Sequence, residues 1–203
     1  MDDGPRNWRV GNWACKEWAV VVHALLEGEQ ILDVRKGGIR EDGRHFSVQS
    51  TRFWLYPTAE HQKPELLKEP YRHWIDLAHA APVGEAITIE GWADVVKLAT
   101  ITEAEELDAI ASKLIWTDDY AASRLGWKKR DPLWVLALRV HRLLEPLTVP
   151  WDAGYGGCTS WVELAALPDD PASLPSEPAL SDVAFAARLK GCVDALPSLT
   201  DPS

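Results

Sequence analysis

The sequence predicts the α+β class: a small, curled, mixed β-sheet closing into a barrel, with packing helices and a C-terminal linker plus helix. Three observations predict it. Elements come in the order helix, strand, strand, long strand, helix, long strand, which suits a small α+β domain. Gly91 lies inside one long apolar run and Pro146 interrupts another, the places where a curved sheet turns its corners. A bent sheet closed on itself also removes exposed edges.

The elements follow in order. Asn12 can cap a helix through "WACKEWAVVVHALLEG", whose Ala14, Trp18, Val21, Val22 and Leu25 keep three-to-four spacing. Gly28 supplies its left-handed stop. "QILDVRK" is a strand with Ile31, Asp33 and Arg35 on one face and Leu32 and Val34 on the other. Gly37 and Gly38 break it. "HFSVQSTRFWLYP" is a strand that Pro57 ends. "PYRHWIDLAHA" is a short helix with Pro70 at its start. "AITIEGWADVVKLATI" is a long strand with a bulge or bend at Gly91. Thr102 and Glu105 then form a capping box that opens a helix through Leu107, Ile110, Ala111 and Leu114.

"PLWVLALRVHRL" is an apolar strand covered on both faces as far as Arg139, and "PLTVP" prolongs it beyond a proline. "GYGGCTSWVEL" is a glycine turn running into a short strand or helix. Residues 165–180 hold Pro168, Pro171, Pro175 and Pro178 among acids and read as a linker without a core-forming pattern. Ser181 caps a final helix with one apolar face, expected to dock back on the domain. The organisation is therefore an arm at 1–12, a domain at 13–164, a linker at 165–180, a helix at 181–196 and a tail at 197–203.

At 203 residues and 46 % hydrophobic, the chain can bury a sizeable core. Its 11 tryptophans suit cores, interfaces and base-stacking walls alike. Cys15, Cys158 and Cys192 are odd in number and far apart, so neither a disulfide framework nor a zinc site is indicated. Met1–Gly11 lacks the apolar core of a signal peptide, and no apolar run approaches a membrane span. A cytoplasmic protein without membrane contact is expected. The net charge of −10 argues against non-specific nucleic-acid binding, but it is uneven. Arg124, Lys128, Lys129, Arg130, Arg139 and Arg142 lie within nineteen residues that hold one acid, Asp131.

"KEWAVVVHALLEGEQILDVRKGGIRE", then "FWLYPTAEHQ" and "YGGCTSW", resemble a bacterial family of unknown function, DUF1802, from about Trp13 to Leu164. The residues beyond Ala165 lie outside the resemblance. It implies a setting near restriction endonucleases, since some members lie beside or are fused to such domains, and hence a nuclease partner. A looser resemblance is to the ASCH group of PUA-like barrels, whose opening pattern is G-x-K-x-x-E-x-R. Here the positions read Gly28, Gln30, Asp33 and Arg35: the acid is shortened and the lysine is missing. That resemblance implies a PUA-like barrel and recognition of RNA or modified bases. One ASCH branch hydrolyses an acylated nucleoside with a lysine, which Gln30 replaces here.

Four stretches can carry chemistry. Asp33 and Arg35 project to one face about 7 Å apart, where a carboxylate could accept from a base amino group and a guanidinium could grip phosphate. They could equally form a structural ion pair at a sheet rim. Lys36 with Gly37-Gly38 either approaches an anion or is an exposed lysine on a tight loop. In "YPTAEHQ", Tyr56 can stack on a planar ligand while Thr58, His61 and Gln62 offer donors and acceptors; a plain turn is the alternative. Trp127 beside Lys128, Lys129 and Arg130 pairs a stacking face with phosphate contacts, or is a solvated basic loop. In "YGGCTSW", Ser160 or Trp161 could line the same pocket.

Cys158 has no adjacent histidine, the six histidines lack paired-ligand spacing, and Walker and dinucleotide motifs are absent. A nuclease-type magnesium set would need a lysine where Arg35 stands, with Glu17 as an added ligand. No metal or cofactor is expected. The leading expectation is a non-catalytic module that binds nucleic acid, DNA or RNA, through a modified or extruded base. The alternatives are hydrolysis of a modified nucleoside, a metal-dependent nuclease-like protein, and an interaction scaffold built on the C-terminal helix.

Overall fold

In the computed structural model, which describes residues 11–36, 48–59, 63–78, 80–120, 123, 132–157 and 159–202, a mixed sheet organises the chain. Its seven strands are β1 (Trp13–Trp18), β2 (Leu32–Arg35), β3 (Arg52–Thr58), β4 (Ile87–Ile101), β5 (Leu133–Val149), β6 (Trp161–Glu163) and β7 (Ser176–Pro178). The order is β2-β5-β4-β3-β1-β6, with β7 pairing β5 off this path. β1 and β3 run parallel and the remaining pairs are antiparallel. The α+β class and the mixed sheet are as expected. Closure into a barrel is not: β2 and β6 are the two ends of an open ladder.

The first element departs from its expected form. Trp13–Trp18 is a strand, and α1 begins only at Ala19 and runs to Leu26. β1 sits between β3 and β6 with Cys15 in one apolar core and Ala14 in another, so both faces are covered and no polar alternation marks it. α1 is buried all round except at His23. Its stop is the one the sequence predicts: Gly28 has φ 68°, and a Cβ there would lie 2.7 Å from Leu180.

β4 and β5 form the backbone of the sheet. Their register runs from Ile89↔Leu147 to Gly91↔Arg142, so the extra residues 143–146 of β5, Pro146 among them, bulge out. A Cβ at Gly91 would overlap the His141 carbonyl oxygen and lie 2.6 Å from Leu26 Cδ2, so the corner requires glycine. Pro57 lies inside β3 rather than ending it; β3 pairs β4 only up to Trp54, leaving one edge out of the ladder there.

α2 (Trp74–Leu77) follows a 3-10 turn at Glu69–Tyr71 that holds Pro70. α3 (Ala104–Ala111) starts one residue later than the capping box requires: Glu103 is its N-cap, no side chain caps it, and Thr102 Oγ1 bonds Glu103 instead (3.1 Å). Leu114 is buried beyond its end.

Residues 165–180 are packed on the sheet. β7 lies along β5, Arg52 pairs Asp170 at 3.1 Å, and Leu167 and Leu174 reach the second core. α4 (Asp182–Ala195) starts at Ser181, whose hydroxyl accepts from Ala184 N–H at 3.3 Å. It docks back on the domain, burying Cys192 and Leu196, and Arg139 pairs Asp182 at 2.6 Å. Past it, Leu199 is buried and Leu98 exchanges backbone hydrogen bonds with Thr200. Among the described residues no helix is long and apolar enough to cross a membrane.

Candidate functional site

β1 divides the candidate residues between two faces, because successive strand side chains point to opposite sides. On one side Glu17 meets β2. Arg35 Nη1 donates to Glu17 Oε2, Nη2 donates to the Lys16 carbonyl (2.9 Å), and Asp33 Oδ2 lies 4.0 Å from Arg35. Asp33, Arg35 and Lys36 are only 4 %, 7 % and 3 % exposed. Ions this dry are tolerated only when they are paired.

The geometry explains the pairing. Lys16 N–H donates to Ser160 O at 2.8 Å, away from β3, and the carbonyl of a strand residue points the same way as its N–H. β2 and β1 are far apart along the ladder, yet Arg35 bridges them: a side chain spans the seam that backbone pairing leaves open. Trp18 adjoins this seam. It stacks on Tyr120 (5.6 Å, 27°) and meets Trp116 edge-on at 4.9 Å.

On the other side Lys16 helps to line a cleft of about 300 Å³, walled by Tyr56, Thr58, Val83, Trp151 and Tyr155. Lys16 Nζ donates to the carbonyls of Tyr155 (2.7 Å) and Gly157 (2.9 Å) and lies 5.8 Å from the Tyr56 ring centre. Gly157 has φ 81°, a left-handed conformation that favours glycine and shapes this turn. Tyr56 and Tyr155 meet edge-on at 6.3 Å, and the Thr58 hydroxyl donates to Glu17 O at 3.1 Å. Among the described lining residues, Lys16 carries the only charge.

The sequence-derived residues therefore fall into two groups. Asp33 and Arg35 meet at the seam, Lys36 follows them as a buried residue, and Tyr56 and Thr58 meet the glycine turn at the cleft. A single shared hollow, the expected arrangement, does not form among them, because β1 separates the groups. Lys36 is buried rather than exposed on a loop. Trp161 faces Phe53 edge-on at 5.1 Å in the main core, and Ser160 is buried. His61, Gln62, Trp127, Lys128, Lys129 and Arg130 lie outside the described residues.

Lys16, Trp151 and Tyr155 have no place in the sequence-derived site. The helical spacing of Ala14, Trp18 and Val21 masks the strand alternation that sets Lys16 opposite Glu17, whereas Tyr155 opens the "YGG" turn of the sequence. Glu17, weighed as a metal ligand, accepts from Arg35 and from Trp18 N–H (2.6 Å) instead. Among the described residues no group of three or more His, Cys, Asp or Glu could hold a metal ion.

No curated protein matches the chain. A family model described as "Domain of unknown function (DUF1802)" matches residues 14–191, reaching well past Leu164 into α4. Among solved structures the chain is similar to a crystal structure of a mutant ZmASCH protein from Zymomonas mobilis. The identity is 12 %, with 76 % of this chain and 88 % of that chain covered, at a TM-score of 0.43.

Proposed function

The chain belongs to the DUF1802 family, and from that premise we propose that it binds nucleic acid without transforming it, taking a modified or extruded base into the cleft walled by Tyr56, Trp151 and Tyr155. The observation that carries this reading is the cleft's composition. Three aromatic side chains, Tyr56, Trp151 and Tyr155, and one lysine line about 300 Å³ in a chain of net charge −10. That volume is at the lower end of ligand pockets, roughly 300 to 1,000 Å³, and suits a nucleoside rather than a larger cofactor. Aromatic faces stack on any base, each stack being worth about 1–3 kcal/mol. Lys16 adds a positive charge where the backbone phosphates of an extruded nucleotide would pass. Lys128, Lys129 and Arg130 complete the proposal as phosphate contacts, with His61 and Gln62 at the base edge and a nuclease as partner.

Binding is favoured over hydrolysis by Gln30. It stands where the ASCH pattern has lysine, and both ends of its amide are spent: Nε2 donates to Leu32 O (2.9 Å) and Oε1 accepts from Ile115 N–H (3.0 Å). Arg35 and Asp33 are likewise drawn into the seam with Glu17. The scaffold alternative is weakened because α4 spends Cys192 and Leu196 on its own domain.

The test is fluorescence anisotropy with labelled single-stranded DNA and RNA at low salt. Tyr155 is only half-buried, so Tyr155→Ala should fold and weaken binding by roughly 5- to 150-fold, the equivalent of one lost stack. Affinity should fall steeply as salt rises, through counterion release. Absence of binding to either polymer at low salt would end the proposal.

A further inference from the structure

A second cavity, of about 410 Å³, lies where α4 docks against the turn after α1 and the segment following α3. Its lining includes Glu29, Tyr71, Ser112, Lys113, Arg188 and Gly191. We propose that this cavity binds a small organic oxyanion, a phosphate monoester or a polycarboxylate. The site is separate from the base cleft and stands whether or not that cleft reads bases.

Charge is the first argument. The chain carries −10, yet this lining holds two cations against one acid. The acid is already engaged: Glu29 Oε1 accepts the Tyr71 hydroxyl at 2.6 Å. Lys113's ammonium makes no ion pair or hydrogen bond among the described residues. Arg188 Nη1 donates to the Glu29 carbonyl, the one hydrogen bond of this guanidinium among the described residues. That contact holds the fork in place and leaves donors for a ligand, and a guanidinium fork beside an ammonium is the donor set that oxyanions select.

Gly191 is the second argument. It lies inside α4, where glycine costs about 1 kcal/mol relative to alanine. No crowding demands it: a Cβ there would meet nothing closer than Lys113 Nζ at 3.6 Å, an ordinary contact. The helix forgoes that stability at the point where it lines the cavity, and the missing side chain keeps open the space in front of the Lys113 ammonium.

Calorimetric titration of the full chain with ribose 5-phosphate, citrate and uncharged ribose tests the proposal, since none of these carries a planar ring to stack in the cleft. One of the two anions should bind saturably, and which one separates phosphate from carboxylate recognition; ribose should not bind. Lys113→Met, which strands no ionic partner among the described residues, and Arg188→Met should each weaken binding about tenfold, as expected for a lost charged hydrogen bond. Gly191→Val should abolish it while far-UV circular dichroism stays unchanged, and Tyr155→Ala should leave it intact. No saturable binding of either anion, binding that survives Lys113→Met and Arg188→Met together, or binding lost in Tyr155→Ala would overturn the proposal.

Discussion

Arg35 joins β2 to β1 through one guanidinium, and its side chain is 9 % exposed while that of its partner Glu17 is 13 % exposed. Breaking such a pair strands a charge in a dry place, at a cost of about 3–5 kcal/mol, whereas removing both partners costs much less. Arg35→Met should therefore lower stability by about that amount, and Glu17→Gln added to it should restore a large part. Urea unfolding at constant m-value measures both; a loss below about 1 kcal/mol would show that the pair remains hydrated. The two-residue spacing of Asp33 and Arg35 was legible, because strand alternation puts both on one face whatever the fold. Their main partner was not. Glu17 is 18 residues from Arg35 and became a neighbour only when the sheet curled.

Elements that follow local rules were legible where one rule acted alone. Gly28 ends α1 and Gly91 marks the β4 corner, since each answers a steric demand of its own backbone. Gly91→Ala tests the corner. The added methyl would meet the His141 carbonyl, a backbone atom held in the β4–β5 ladder, so it should cost about 1–3 kcal/mol by overpacking, read as a lower unfolding midpoint. A neutral result would mean that the bulge relaxes. β1 was illegible for the opposite reason: two tendencies overlapped. Ala14, Trp18, Val21 and Val22 keep helical spacing, but pairing with β3 and β6 claims Trp13–Trp18 for the sheet. The capping box did not form either: α3 starts at Ala104 with Glu103 as its N-cap, one residue beyond Thr102.

At the scale of the whole molecule, residues 165–202 complete both cores rather than trailing from a finished domain. Leu196 and Leu199 are buried in or beside the main core, Leu174 reaches the second, and the family match extends to residue 191. Burying one leucine contributes about 1.5–3 kcal/mol. Losing several would consume a typical stability of about 5–15 kcal/mol. A chain truncated after Leu164 should thus be unfolded or aggregated by circular dichroism and size-exclusion chromatography. A monomer with a cooperative melt would show that 13–164 folds unaided.

The α+β class, the long strands around Gly91 and Pro146, the cap at Ser181 and the shared face of Asp33 and Arg35 could be read from the chain, because each depends on residues a few positions apart. Which strand lies beside which, the partner of Arg35, the burial of Lys36, and the meeting of Tyr56 with Tyr155 came only with the folded sheet. Those contacts join segments up to 150 residues apart, as Trp13 and Glu163 are, and local periodicity holds no information about the path a curled ladder takes between them.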